Sequence, residues 1–387
     1  MTRARPKVLV FNLFYLPGYR AGGPIRTLAN MVERLGAEID FRLVTLDRDL
    51  GDLGPYPIAG ANRWVRMGNA QVRYLERAAV TSREIVDIVE EVGPDFLYLN
   101  SFFDPVFTQR VLWARWLRRL PAVPVVIAPR GEFSSAALGL KAVKKSAYIG
   151  LMRILGIYRG LVWHASSDEE KGDILRRLPF VSLDEVRVAM NLAPAPEAAD
   201  LERTDCCASE QLRICFLGRI APMKNLDYAL KVLAGVRVPV NFSVYGPVES
   251  ESYWKECQAM IKKLPSNIEV EYLGAVESAH VKRTLAKHDL FFFPTRGENY
   301  GHVIHEALSA GLPVLISDRT PWTRLEEMGV GWAFALDAGE SFARKIEEVS
   351  GWSRDVRRAV AESARRFGTT VAGDSSVLAG NRALFFE

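Results

Sequence analysis

Short apolar runs alternate with helical patterns along most of the chain. KVLVFNL (7–13) reads as a strand and PIRTLANMVERL (24–35) as an amphipathic helix. FRLVTL (41–46) and FLYL (96–99) follow as strands, with VTSREIVDIVEEV (80–92) as a helix between them. VPVVIA (123–128) and LVWHAS (161–166) continue the series. Apolar runs of this length, separated by 3.6-period segments, predict βαβ units and a parallel sheet with helices on both faces.

The rhythm lapses once. NLAPAPEAADLERTDCCASEQ (191–211) is rich in Ala, Pro and acidic residues and has no period, which marks a linker. After it the strands restart with LRICFLG (212–218), VNFSVYG (240–246), IEVEYLG (268–274), DLFFFPT (289–295) and PVLIS (313–317). Two Rossmann-like domains in tandem are therefore expected. The first spans 1–195, a linker spans 196–211, and the second spans 212–365, with 366–387 crossing back to the first. In open α/β sheets ligands bind beyond the carboxyl ends of the strands, so two such domains facing each other would form a cleft.

Length and composition fit this picture. The chain has 387 residues, 49% hydrophobic and 25% charged, as soluble globular proteins do. A net charge of +4 does not argue for nucleic acid. Charge is uneven, however: Ser101 to Ala165 holds ten Arg or Lys against two acids, Asp104 and Glu132. Such a patch suits phosphates or an anionic membrane surface. The four cysteines, Cys206, Cys207, Cys215 and Cys257, form no C-x-x-C pair, so neither zinc nor a disulfide framework is indicated. A cytoplasmic location is expected, peripheral on the inner face of the membrane if a membrane is involved. The first apolar run ends in Pro17-Gly18 and reads as a strand, not a signal peptide.

Two segments carry candidate chemistry. In FLGRIAPMKNLD (216–227) a strand ends at Gly218, Arg219 follows, and Lys224 precedes a helix opening at Asn225. A guanidinium fork and an ammonium beside a helix N-terminus suit a diphosphate, although a solvated loop has the same residues. TRGENYGHVIHEALSAGLPV (295–314) places Glu298 in a loop and Glu306 in the second turn of a helix starting near Tyr300 or Gly301. The first N–H groups of that helix, from Asn299 through Tyr300, Gly301 and His302 to Val303, favour a phosphate. A glycine at 301 lets backbone approach a ligand. A carboxylate among Val303, Ile304, Ala307 and Leu308 needs hydrogen-bond donors, which sugar hydroxyls supply.

Together, G-R-x(4)-K-N and E-x7-E followed by A-x-x-x-G-x-P-V resemble the donor-binding domain of retaining GT-B glycosyltransferases of family 4, the glycosyl transferases of group 1. The resemblance covers nearly the whole chain. It implies a GT-B fold and a nucleotide-diphosphate sugar donor, with Arg219 and Lys224 on the diphosphate, Glu306 on the ribose and Glu298 near the transferred sugar. It also implies front-face attack, the leaving phosphate helping to deprotonate the acceptor. The acceptor would be a glycan or lipid-linked glycan of cell-surface polysaccharide synthesis. Tyr19-Arg20-Ala21-Gly22-Gly23-Pro24 is similar to the family's glycine-rich loop, which would put Gly22 and Gly23 at the donor phosphates and acceptor. SSDEEK (166–171) is similar to a serine-and-acid turn of the first domain. Where many members carry a His, this chain has APRGEF (128–133), so Arg130 takes that position. A nucleotide-sugar epimerase of the same architecture, or a silent subunit of an assembly complex, remains an alternative.

No cofactor or metal is expected, because Arg, Lys and a helix terminus supply the positive charge. Asp47-Arg48-Asp49 matches a metal-binding D-x-D, but it follows the second strand of the wrong kind of domain. His302, His305 and Glu306 lack the H-E-x-x-H order, and His305 is expected in packing or behind the site. Trp113, Trp116 and Trp322 are expected in core or rim. In 138–159 a helical wheel sets Leu140, Val143, Ala147, Leu151, Ile154 and Tyr158 toward the core. It leaves Ile149 and Met152 among Lys141, Lys145 and Arg159, as a helix at a headgroup layer would, though a plain basic surface helix fits equally.

Overall fold

In the computed structural model the described residues are 5–59, 62–134, 142–195 and 211–386, with backbone alone for 142–146. The chain forms two compact units. The first comprises residues to Ala195 together with Asp374–Glu387, and the second Pro196–Gly373.

The first unit holds eight strands: β1 (Lys7–Phe11), β2 (Asp40–Leu46), β3 (Trp64–Met67), β4 (Ala70–Leu75), β5 (Phe96–Asn100), β6 (Val125–Ala128), β7 (Leu161–Ala165) and β8 (Val186–Val188). Their order is β3-β4-β2-β1-β5-β6-β7-β8, parallel except for the β3–β4 pair. Alternation across β1 shows why the sheet is covered twice. Val8 and Val10 enter one apolar layer, Leu9 and Phe11 the other, and all four are fully buried. Helix ends follow local chemistry. Thr81 caps helix Ser82–Val92 by accepting from Glu84 N at 3.1 Å, and Gly93 closes it with a left-handed φ of 55°. The β3–β4 hairpin, turning at Gly68-Asn69, was not expected from the pattern, because its residues alternate apolar with charged over too few positions. The C-terminal helix Ser375–Phe386 packs Phe385 edge-on against Phe41, Phe96 and Tyr98. Residues 366–373 stay in the second unit, where helix Arg354–Ala372 packs on helix His302–Ser309.

The second unit holds β9 (Leu212–Leu217), β10 (Val240–Tyr245), β11 (Ile268–Gly274), β12 (Leu290–Phe293), β13 (Val314–Ser317) and β14 (Gly331–Phe334). All pairs are parallel and the order is β11-β10-β9-β12-β13-β14. Counted from β9, that is the 3-2-1-4-5-6 arrangement of a doubly wound sheet, with its topological switch point between β9 and β12.

One expectation is reversed. In helix Ala142–Ile154, Met152 is buried and Ile149 packs against the core, while Leu151 and Ile154 face out, 53% and 83% exposed. Tyr158 is buried as the wheel placed it. Met152 and Tyr148 win the inward positions because the aromatic cluster around Phe102 and Phe103 receives Tyr148, whose ring lies 6.3 Å from that of Phe103. Leu140, Lys141, Val143, Lys144 and Lys145 lie outside the described side chains.

Candidate active site

Beside the switch point, on the side of β9 away from β12, the ends of β9 and β10 approach too closely for a side chain at 246. Gly246 has φ 133°, and a Cβ there would sit 1.9 Å from the carbonyl oxygen of Gly218. Gly218 N–H donates to Tyr245 O at 3.0 Å, and Ile220 pairs with Val248 in a one-residue bridge. Arg219 is thereby presented between two strand ends. Its guanidinium forms an ion pair with Glu249, both partly exposed.

Lys224 ends the short turn Pro222–Lys224, after which Asn225 takes a left-handed φ of 63° and opens helix Leu226–Leu233. Buried Asn225 fixes this corner from both ends of its amide: Nδ2 donates to Pro294 O at 2.9 Å, and Oδ1 accepts from Arg296 Nε at 2.9 Å. Lys224 Nζ pairs with Glu298 and lies 5.7 Å from the centre of the Phe293 ring. Glu298 is in turn held by the Thr295 hydroxyl at 3.2 Å and, through its N–H, by Arg319 O at 3.0 Å. Thus Lys224 and Glu298, 74 positions apart, meet in one cluster.

The helix expected near Tyr300 begins at His302, with Gly301 as its N-cap at φ 78°. A Cβ at 301 would lie 2.8 Å from Ile304 Cδ1, a clash that side chain could yield to, so it is the left-handed backbone that favours glycine here. Tyr300 turns its ring into the core, and its carbonyl accepts from Trp322 Nε1 at 2.5 Å. Only the backbone of Tyr300 is therefore suited to a ligand. His302 packs on Tyr300 with ring centres 4.7 Å apart, Asn299 and Val303 are half-buried, and Glu306 is buried on the same helix. His305 is behind the site. Burial lowers its pKa to about 4, so it is neutral and Nε2–H donates to Gly368 O at 3.0 Å. A Cβ on Gly368 would come within 2.8 Å of Ser309 Oγ, which shows how closely the two helices approach.

In the first unit, Gly22 has φ 72° and caps helix Gly23–Leu35, with open space around Gly23. The loop before it is held by Asp49, whose Oδ2 accepts from Tyr19 N at 2.7 Å and Arg20 N at 2.9 Å. Asp47 pairs with Arg48 at 2.8 Å. Both carboxylates of the D-x-D thus hold the chain itself. Arg130, at φ 58°, donates to Asn100 Oδ1 at 3.0 Å, Asn191 Oδ1 at 2.7 Å and Tyr98 Oη at 2.5 Å. Tyr98 O–H donates on to His164 Nδ1 at 2.7 Å, and His164, its pKa lowered to about 3 by burial, donates Nε2–H to Ala189 O. The guanidinium has most of its N–H groups engaged by neutral acceptors, so it is firmly positioned at the carboxyl edge of β6. Glu170 of the serine-and-acid turn accepts from Gly131 N at 2.5 Å and Ser166 N at 2.8 Å.

Sequence reasoning did not anticipate Glu249, which belongs to no recognised motif, nor the Lys224–Glu298 pairing. The signal for Asn225 was its place just before a helix. Among the described residues no group of three or more His, Cys, Asp and Glu is placed to hold a metal ion.

Comparison with known proteins bears on this second-unit site. Residues 207–367 match the family model of glycosyl transferases group 1. The chain is 26% identical over 230 residues to an uncharacterized 41.2 kDa protein in the cps region of Klebsiella pneumoniae, covering 58% of this chain. It is also 26% identical over 239 residues to the phosphatidyl-myo-inositol mannosyltransferase of Mycobacterium leprae. The match spans 60% of the length of each of those relatives. Among solved structures, Anabaena HepE (Alr3699), crystallised with UDP and glucose, superposes with a TM-score of 0.72 at 15% identity, over 98% of each chain. Sucrose-phosphate synthase of Thermosynechococcus elongatus gives 0.71 at 14% identity, again over 98% of each. The chain has the GT-B glycosyltransferase fold.

Proposed function

We propose that this protein is a retaining glycosyltransferase of family 4, transferring a sugar from a nucleotide-diphosphate donor to an acceptor hydroxyl. The observation that carries the reading is the placement of Arg219 and Lys224 at the switch point of a 3-2-1-4-5-6 sheet, within the segment that matches glycosyl transferases group 1. Two cations there, with helix His302–Ser309 starting shortly after Glu298, the partner of Lys224, suit the charge that grows on a departing diphosphate. The HepE complex with UDP and glucose supports such a donor.

The chemistry then runs as follows. The bond between the anomeric carbon and the diphosphate oxygen breaks as the acceptor oxygen bonds to the same face of that carbon. The acceptor's proton passes to an oxygen of the leaving phosphate. Glu306 accepts from the ribose hydroxyls and Glu298 lies at the sugar. By the family resemblance, Gly22 and Gly23 serve the donor phosphates and acceptor, and Arg130 takes the position where many family members carry a His. A glycan or lipid-linked glycan serves as acceptor, a reading supported by the cps-region and phosphatidylinositol relatives. The protein meets such an acceptor peripherally, at the inner face of the membrane. Among the described residues no helix is long and apolar enough to cross a membrane.

Titration calorimetry with a panel of UDP, GDP and their sugars, followed by turnover with the tightest binder, tests the reading. Donor consumed only when a glycan acceptor is present is expected. Donor interconverted without acceptor would identify an epimerase, and failure to bind any nucleoside diphosphate would end the proposal.

A further inference from the structure

The reversed helix leaves apolar side chains exposed among the described residues. Ala147, Leu151 and Ile154 follow at i, i+4 and i+7 along Ala142–Ile154 and all face out. Leu151 is 53% and Ile154 83% exposed, although a helix on a globular core normally turns its aliphatic stripe inward. A second exposed apolar pair lies beside them. Trp116, 41% exposed, ends helix Thr108–Trp116, and Leu117 follows it at 48%.

Hydrogen bonds join the two segments. The Trp116 indole N–H donates to Leu155 O at 2.7 Å, and Leu155 N–H donates to Leu151 O at 3.1 Å. Arg115 donates to Arg159 O at 2.9 Å. The turn after one helix is therefore fastened to the end of the other, and the four apolar side chains share one face of the first unit. Cations surround them: Arg118, Arg119, Arg153 and Arg159 are all exposed. No Asp or Glu occurs from 105 to 131 or from 133 to 167.

We infer that this face, centred on Trp116, Leu117, Leu151 and Ile154, seats the protein on an anionic lipid surface. Exposed aliphatic side chains would enter the acyl boundary, and the indole would sit at headgroup level. The arginines would meet lipid phosphates, and salt would weaken that part of the attraction. A protein partner of opposite charge would not respond to the lipid composition of vesicles, which the test below varies. The role given to docking rests on the lipid-linked acceptor proposed above, but the docking itself is measured without turnover.

The full chain is sedimented with vesicles of phosphatidylcholine, with and without phosphatidylglycerol, at low and high salt. Wild type should pellet with anionic vesicles at low salt and be released by salt. The exposed double variant Leu151→Ser/Ile154→Ser should lose binding about tenfold or more, and Arg118→Ser/Arg119→Ser should lose the preference for phosphatidylglycerol. UDP titration on each variant reports whether the fold survives and tests the glycosyltransferase reading separately. The inference is overturned if wild type stays in solution with anionic vesicles at low salt, or if both variants pellet as wild type does. Equal binding to neutral vesicles would overturn it too. So would a concentration-dependent dimer abolished by Leu151→Ser/Ile154→Ser, which would assign the face to a second copy of the chain.

Discussion

Lys224 and Arg219 each meet a carboxylate, Glu298 and Glu249, and the two pairs differ in setting. The Lys224 and Glu298 side chains are 16% and 12% exposed, those of Arg219 and Glu249 35% and 41%. The outer pair is a surface ion pair, worth no more than ~1 kcal/mol to the fold. Its larger effect would fall on an incoming anion, because Glu249 neutralises a cation that a diphosphate needs. Glu249→Gln should therefore tighten UDP binding by roughly threefold to tenfold with little change in melting temperature. Calorimetry showing weaker or equal binding would remove Glu249 from this role. Conversely, Lys224→Ala and Glu306→Ala should each weaken donor binding, since losing one charge-assisted contact costs ~1.5–3 kcal/mol, about tenfold to a hundredfold. Unchanged affinity in both would undo the diphosphate and ribose assignments. Arg219, Lys224, Glu298 and Glu306 stand out from motif spacing as candidates. Glu249 could not, because its relation to Arg219 arises from the bridge between Ile220 and Val248, which no local pattern encodes.

Helices show where periodicity stops being informative. Ser82–Val92 has one apolar stripe and buries Ile85, Ile88, Val89 and Val92, as its pattern demands. Ala142–Ile154 has apolar residues around most of its circumference, so its sequence is compatible with two rotations and the pocket that takes Met152 decides. At the start of helix His302–Ser309 the constraint is on the backbone. Gly301→Ala would place a Cβ at φ 78° and 2.8 Å from Ile304 Cδ1, which should cost ~1–3 kcal/mol of stability, readable by urea titration. The junction between this helix and Arg354–Ala372 adds a pH dependence. His305 is held neutral with its pKa lowered to about 4 by burial, and His288 is lowered to about 4 likewise. A histidine whose folded pKa lies below its unfolded value binds fewer protons when folded. Stability is therefore full above about pH 6.5 and falls toward pH 4, by up to ~1.4 kcal/mol per unit for each such group. Thermal melts across that range should show the loss, and His305→Gln, which can still donate to Gly368 O, should reduce the slope. A slope unaltered by that substitution would mean that His305 does not contribute.

At the scale of the whole molecule, the restart of the strand pattern after 191–211 made two α/β units legible, and the resemblance of the motifs pointed to GT-B. Strand order was less accessible, because parallel pairing brings together segments such as β9 and β12 that are about eighty residues apart. That order is nonetheless what gives the second unit its switch point, and it bears on whether the proposed transfer needs a metal. Enzymes that transfer sugars from nucleotide diphosphates must offset negative charge on the leaving group, by a divalent cation or by fixed positive groups. Here the switch point offers Arg219 and Lys224, while the D-x-D carboxylates bind Arg48 and the backbone of Tyr19 and Arg20. Releasing Asp49 for a metal would free the glycine-rich loop that it holds, so metal binding there would oppose the arrangement of the first unit. Transfer should consequently proceed at an undiminished rate in EDTA, and added manganese should change it less than twofold or so. The product's anomeric configuration, read from NMR couplings on the same reaction, should match that of the donor under the front-face attack proposed above. Activity lost in EDTA and restored by manganese would return Asp47 and Asp49 to the chemistry, and an inverted product would rule out front-face attack.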